Sequence, residues 1–214
     1  PLQSSSAASD VYKRQIDILV FEGSVVNAPN GTGEWNRFAG RPMKDWLNDL
    51  SKVAGFVVAV GDCATYGGVP AMEPNPSESI GLQFLKRQKG GFLGDDFLSQ
   101  KGFPVINIPG CPAHPDWISQ ILVAVATGRV GDLTLDEFHR PETFFRSFTQ
   151  TGCTRNMHFS YKSSTEEFGQ RTGCLFYDLG CRGPMTHSSC NRSFWNRVSA
   201  NTRVGRPCLG CTEP

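Results

Sequence analysis

Near the end of this 214-residue chain, in "RPCLGCTEP", Cys208 and Cys211 are separated by two residues. A C-x-x-C pair of thiols can exchange with a disulfide, supply half of a zinc site, or belong to an iron–sulfur ligand set. The other six cysteines bear on which chemistry applies. Cys153, Cys174, Cys181 and Cys190 precede the pair, so six thiols fall within 59 residues. Disulfides need an oxidising compartment, and nothing in the chain announces secretion. Zinc favours two close ligand pairs, whereas only one C-x-x-C exists here and the neighbouring spacings are 7, 9 and 18. Iron–sulfur clusters take three or four thiolates from scattered loop positions, and this spacing fits them best.

The remaining two thiols sit in a different setting. Cys63 in "GDCATYGG" and Cys111 in "PGCPAHPDW" each follow a β-branched apolar run by three residues. Ligand sites in open α/β sheets form outside the carboxyl ends of the strands, near a topological switch point, so these cysteines should converge on one sheet edge. For either one alone, a buried free thiol acting as a small apolar residue is the plainer reading.

The elements that must position these residues divide the chain in two. Over 16–140, "IDILVFE" (Ile16–Glu22), "GFVVAVG" (Gly55–Gly61) and "FPVINIPG" (Phe103–Gly110) read as buried parallel strands. Between and after them, "PMKDWLNDLSKVAG" and "HPDWISQILVAVATG" read as helices opened by Pro42 and Pro115 and closed by Gly55 and Gly128. Strands alternating with helices predict an α/β class, a flavodoxin-like doubly wound parallel sheet. Over 141–214 the alternation stops. That stretch has too little apolar patterning to fold by burial alone and reads as an irregular, cysteine-rich domain that must be stapled.

Composition sets the outer limits. A hydrophobic content of 39% with 15 Phe and 4 Trp supports a core. A net charge of +1 implies neither a nucleic-acid partner nor an anionic membrane surface. From Pro141 onward nine Lys/Arg stand against five Asp/Glu, a modest basic excess that solvation accounts for. No run of about 20 apolar residues is present. "PLQSSSAASDVYKRQ" has no helical or strand period, and we read residues 1–15 as a non-native leader on a chain truncated at both ends.

Four stretches in order, "GDCATYGG", "PGCPAHPDW", "GCLFYDLGCRGPMTHSSCN" and "RVGRPCLGCTEP", closely resemble the small, electron-transfer subunit of nickel–iron hydrogenases, and the resemblance runs from Ile16 to Pro214. It implies a flavodoxin-like domain followed by an iron–sulfur domain. It also implies a partner, the large subunit with the nickel–iron centre, and a downstream electron carrier. Carried over by motif, Cys63 and Cys111 match two ligands of a proximal [4Fe–4S] cluster whose other two belong to an upstream C-x-x-C that this sequence lacks. Cys190, Cys208 and Cys211 match the ligands of a medial cluster, [3Fe–4S] or [4Fe–4S]. Cys153, Cys174 and Cys181 match three ligands of a distal cluster, [4Fe–4S] or [3Fe–4S]. Gln150 stands where the family usually has a His ligand, a replacement shared with the uptake, cyanobacterial-type branch.

Other residues are read more plainly. His114 and His187, inside cluster motifs, are expected to bond a cluster sulfur or cap a helix, and His139 and His158 to be ordinary surface residues. Glu22 ends the first strand, as a polar cap or as the family's recurrent Glu–Gly. Phe194 and Trp195 are expected to pack beside the medial site. "GTG" at 31–33 lacks nucleotide-loop spacing, and no flavin is expected. The function this implies is electron relay in hydrogen oxidation at a cytoplasmic location, free or on the cytoplasmic side of a membrane. A hydrogen sensor is the first alternative and a zinc-stapled, non-redox interaction module the second.

Overall fold

The computed structural model describes residues 16–214, so the proposed leader at 1–15 lies outside the described residues. Three parallel strands form the central sheet: β1 (Ile18–Glu22), β2 (Phe56–Val60) and β3 (Ile106–Ile108), in that order. Ile18 pairs with Phe56 and Glu22 with Val60, while Val58 pairs with Ile106 and Val60 with Ile108. All three carboxyl ends therefore lie on one edge. The strand order is sequential, so no switch point occurs among the described strands, and the convergence of the strand exits comes from parallel pairing alone.

Side chains on a strand alternate between faces, and β2 is apolar at every position. Val58 and Val60 pack into one core with Ile106, Ile108, Trp117, Ile121 and Val125. Val57 and Ala59 pack into a second with Leu47, Ala54 and Leu82. The sheet is thus covered on both faces. Helix α1 (Met43–Val53) covers the second face, and its start follows Pro42, which caps the helix from outside rather than opening it. After the short α2 (Gly61–Tyr66), helix α3 (Pro115–Ala126) covers the first face. Pro115 sits in its first turn, where its missing N–H costs nothing. His114 caps it, with the Asp116 N–H donating to Nδ1 at 3.1 Å.

Beyond Pro141 only short helical pieces occur, α4 (Glu142–Phe145), α5 (Asn156–Ser160) and α6 (Phe176–Leu179), with 3-10 turns and isolated bridges between them. Phe144 and Phe145 join the first core, which anchors this half to the sheet. Among the described residues no helix is long and apolar enough to cross a membrane.

Candidate functional site

Cys63 lies within α2, directly beyond β2, at the strand exit. Its thiol is crowded by Gly68, whose φ is +56° and where a Cβ would come within 2.7 Å of Cys63 Sγ. Glycine is needed there for both backbone and space. Burial pushes the Cys63 thiol up, and the nearby Cys111, Asp62 and Glu22 add to the rise. Cys63, Cys111 and Glu22 therefore share the carboxyl edge of the sheet, as expected. Val69 and Met72, a few residues past Cys63 in the chain, are exposed apolar side chains.

The C-terminal thiols meet this edge directly. Burial raises Cys211, and the nearby Cys111 backbone N–H opposes that rise. Cys190, Cys208 and Cys211 line one cavity of about 310 Å³ together with Ser188, Trp195 and Thr212. Cys190 is pushed up to about 11 by burial, although the Ser188 hydroxyl, donating to its sulfur at 3.1 Å, works the other way. Cys153, Cys174 and Cys181 line a second, tighter space of about 20 Å³, with Gln150 and Arg155 in its wall. The two groups adjoin, because the Cys208 N–H donates to Cys181 Sγ at 3.2 Å. The order Cys63, Cys111, Cys211, Cys208, Cys181 thus runs as a connected series from the sheet edge into the second half.

Three sulfurs in the tighter group carry a common local signature. The backbone N–H two residues on donates to each: Arg155 to Cys153, Phe176 to Cys174 and Gly183 to Cys181, all at 3.4 Å. Such bonds stabilise thiolate over thiol and tune a metal held by it.

The comparisons with known proteins agree with one another. Residues 2–125 match the family described as NADH ubiquinone oxidoreductase, 20 Kd subunit, and residues 145–214 match the family described as the C-terminal part of the NiFe/NiFeSe hydrogenase small subunit. The chain is 36% identical to the F420 non-reducing hydrogenase II small subunit of Methanosarcina mazei, covering 100% of this chain and 57% of that protein. It is 33% identical to the periplasmic [NiFe] hydrogenase small subunit of Solidesulfovibrio fructosivorans, covering 92% and 57%. The solved actinobacterial-type NiFe-hydrogenase of Ralstonia eutropha H16 superposes with a TM-score of 0.79 at 33% identity, covering 91% of this chain and 57% of that one. This chain belongs to the nickel–iron hydrogenase small-subunit family. It spans a little over half the length of the curated relatives it matches.

Small subunits of this family carry iron–sulfur clusters, and the donors present fit that chemistry. All eight cysteines are free thiols, and the tighter group is equipped with N–H donors to sulfur. Among the described residues no three His, Cys, Asp or Glu side chains converge closely enough to hold a single metal ion. The cavity shared by Cys190, Cys208 and Cys211 is the roomier of the two, and the space around Cys153 is the tighter.

The histidines divide. His114 is a helix cap, 1% exposed, stacked on Trp117 at 4.9 Å with its Nε2 bonded to the Ser193 carbonyl. His187 bonds Glu213 through Nδ1 at 3.1 Å and packs on Phe148, so it neither reaches a sulfur nor caps a helix. His139, expected at the surface, is half-buried instead. Its Nδ1–H donates to Gln83 Oε1 at 3.2 Å and its ring meets Phe84 edge-on. His158 is half-buried on α5. Trp195 borders the larger cavity, and Phe194 packs under the Arg203 guanidinium at 4.5 Å.

Sequence reasoning missed the charged residues between the halves. Asp62 is raised to about 7, first by burial and then by Glu213, with Arg140 opposing; its Oδ1 has no hydrogen-bond partner among the described residues. Arg140, 3% exposed, donates to Asp136 at 2.7 Å, to the Thr212 carbonyl at 2.9 Å and to Glu213 at 3.4 Å. Asp62 beside Cys63 and Glu213 two residues after Cys211 were the available signals; Arg140 carried none, and only the fold brings the three together.

Proposed function

We propose that this chain is the electron-relay part of a nickel–iron hydrogenase that oxidises hydrogen, working with a large subunit that holds the nickel–iron centre. The connected series of thiols from the sheet edge to Cys181 is the observation that carries the reading. In it, Cys63 and Cys111 supply half of the proximal site, Cys190, Cys208 and Cys211 the medial site, and Cys153, Cys174 and Cys181 the distal site. Bound clusters would supply one-electron redox chemistry. The chain's own residues space the sites, donate N–H bonds to the sulfurs, and exclude water through Trp195, Phe159 and Phe176. Gln150 lines the distal space and donates Nε2–H to Asn156 Oδ1 at 3.0 Å, leaving its oxygen as the weak fourth donor in this reading.

Val69 and Met72, exposed a few residues past Cys63, are assigned to the large-subunit face. The reading places the complex in the cytoplasm with an electron carrier downstream; two relatives are named as periplasmic, and cell fractionation separates the two locations. A sensor role is distinguished by electron flow to a soluble acceptor, which a sensor would not sustain.

The test is anaerobic purification of the full-length subunit with its large subunit, followed by iron, sulfide and EPR analysis. Cys208→Ala is expected to remove the medial signal and lower iron and sulfide together. Full iron with an unchanged medial signal would overturn the assignment, and a colourless, zinc-loaded protein would establish the structural-module reading.

A further inference from the structure

Arg155 follows Cys153 by two residues and is 5% exposed. Its guanidinium donates only to backbone carbonyls: Nε to Thr202 at 2.8 Å, Nη1 to Thr172 at 3.2 Å and Gly173 at 2.8 Å, and Nη2 to Gln170. Among the described residues no carboxylate pairs with it. Arg140 shows the contrast, because it is equally buried yet bonds both Asp136 and Glu213.

Carbonyl dipoles satisfy the donors of a guanidinium but cancel none of its charge. A buried ion without an opposite charge is costly, so buried charges are normally paired. Among the residues lining the space that Arg155 helps to wall, the anion-forming groups are the three cysteine sulfurs. The Arg155 backbone N–H bonds Cys153 Sγ, and its side chain walls the space shared by Cys153, Cys174 and Cys181.

We propose that Arg155 is the fixed counter-charge of the anionic group held by Cys153, Cys174 and Cys181, and that it raises that group's reduction potential. The inference rests on the distal-cluster reading given above. Reduction adds a negative charge to a thiolate-ligated cluster, and a nearby buried cation stabilises the reduced form more than the oxidised one. The four carbonyl bonds hold the guanidinium in place without neutralising it. Pairing with a carboxylate would have anchored the loops equally well and removed the field. Raised in this way, the last site of the relay accepts electrons from the one before it.

The test uses the full-length subunit assembled with its large subunit, with Arg155→Gln and Arg155→Lys variants, iron and sulfide content, and EPR-monitored redox titration. In Arg155→Gln with the cluster retained, the reduced-to-oxidised ratio of the distal signal at the wild-type midpoint should fall about tenfold, a shift of about 59 mV for one electron. Arg155→Lys keeps the charge and loses the fork, so its ratio should stay within about threefold of wild type, with medial and proximal signals unmoved. An unchanged potential in Arg155→Gln overturns the proposal, as does an equal fall in both variants. If Arg155→Gln loses the cluster, Arg155→Lys decides: a retained potential supports the counter-charge and a fall refutes it. Loss of the cluster in both makes Arg155 a loop tie and nothing more. A wild-type complex without a distal signal refutes the cluster reading itself, and this proposal with it.

Discussion

At the scale of single residues, His139 shows how burial turns an unremarkable side chain into a pH-dependent one. Burial is the main reason its pKa is lowered, with Lys89 adding to the effect and Asp136 opposing it. A folded-state value below the unfolded value near 6.5 means the unfolded chain binds the proton more readily. The favourable contribution is present above the unfolded value and is lost as pH falls through the lowered one. His139 also has a φ of +57°, a conformation that Asn tolerates better than most residues. His139→Asn should therefore cost thermal stability at pH 7.5 through the lost Gln83 bond, with a smaller gap from wild type at pH 5. Melting curves at the two pH values check this, and an equal or wider gap at pH 5 would contradict it.

At the scale of elements, β2 and α3 hold the site geometry. β2 is the middle strand, buried on both faces, and it delivers Cys63; α3 follows Cys111 and lays Trp117, Ile121 and Val125 against the sheet. Fixing these two elements fixes the distance between the two strand exits. Ile121, 2% exposed, has no polar role and packs only in this core. Ile121→Ala should destabilise the sheet layer by about 2–5 kcal/mol through lost burial and the cavity left behind. Denaturant unfolding of the assembled complex measures it, and a cost under about 1 kcal/mol would mean that α3 is not the clamp described.

At the scale of the whole molecule, Arg140 joins the halves. It stands at the boundary between the α/β layer and the cysteine-rich segment, and its guanidinium links Asp136 to the Thr212 carbonyl and Glu213. Glu213 in turn receives the His187 backbone N–H and bonds its ring. The last turn of the chain, carrying Cys208 and Cys211, is thereby held against the sheet edge that carries Cys111. Arg140→Met leaves two carboxylates without their cation, and breaking such a buried arrangement costs about 3–5 kcal/mol. Faster amide exchange at 208–213 than in β2 is the expected signature. Uniform destabilisation with no local opening at 208–213 would show that Arg140 does not act as a tie between halves.

The sequence by itself determined the class of the first half and the family of the whole. Three β-branched runs bounded by Gly or Pro mark buried strands of a layer, and the spacing of the thiols argued against a simple zinc module. These are local signals, carried by residues close in the chain. It could not determine that the strands run in sequential order, that Pro42 stands outside its helix, or that Cys63 is helical, since neighbouring segments set these boundaries. Nor could it show which charges are buried. Arg140 and Arg155 look alike in the sequence, yet one is matched by carboxylates and the other only by carbonyls. That difference comes from partners as much as 73 residues apart in the chain, and only tertiary packing brings them within reach or leaves a charge without them.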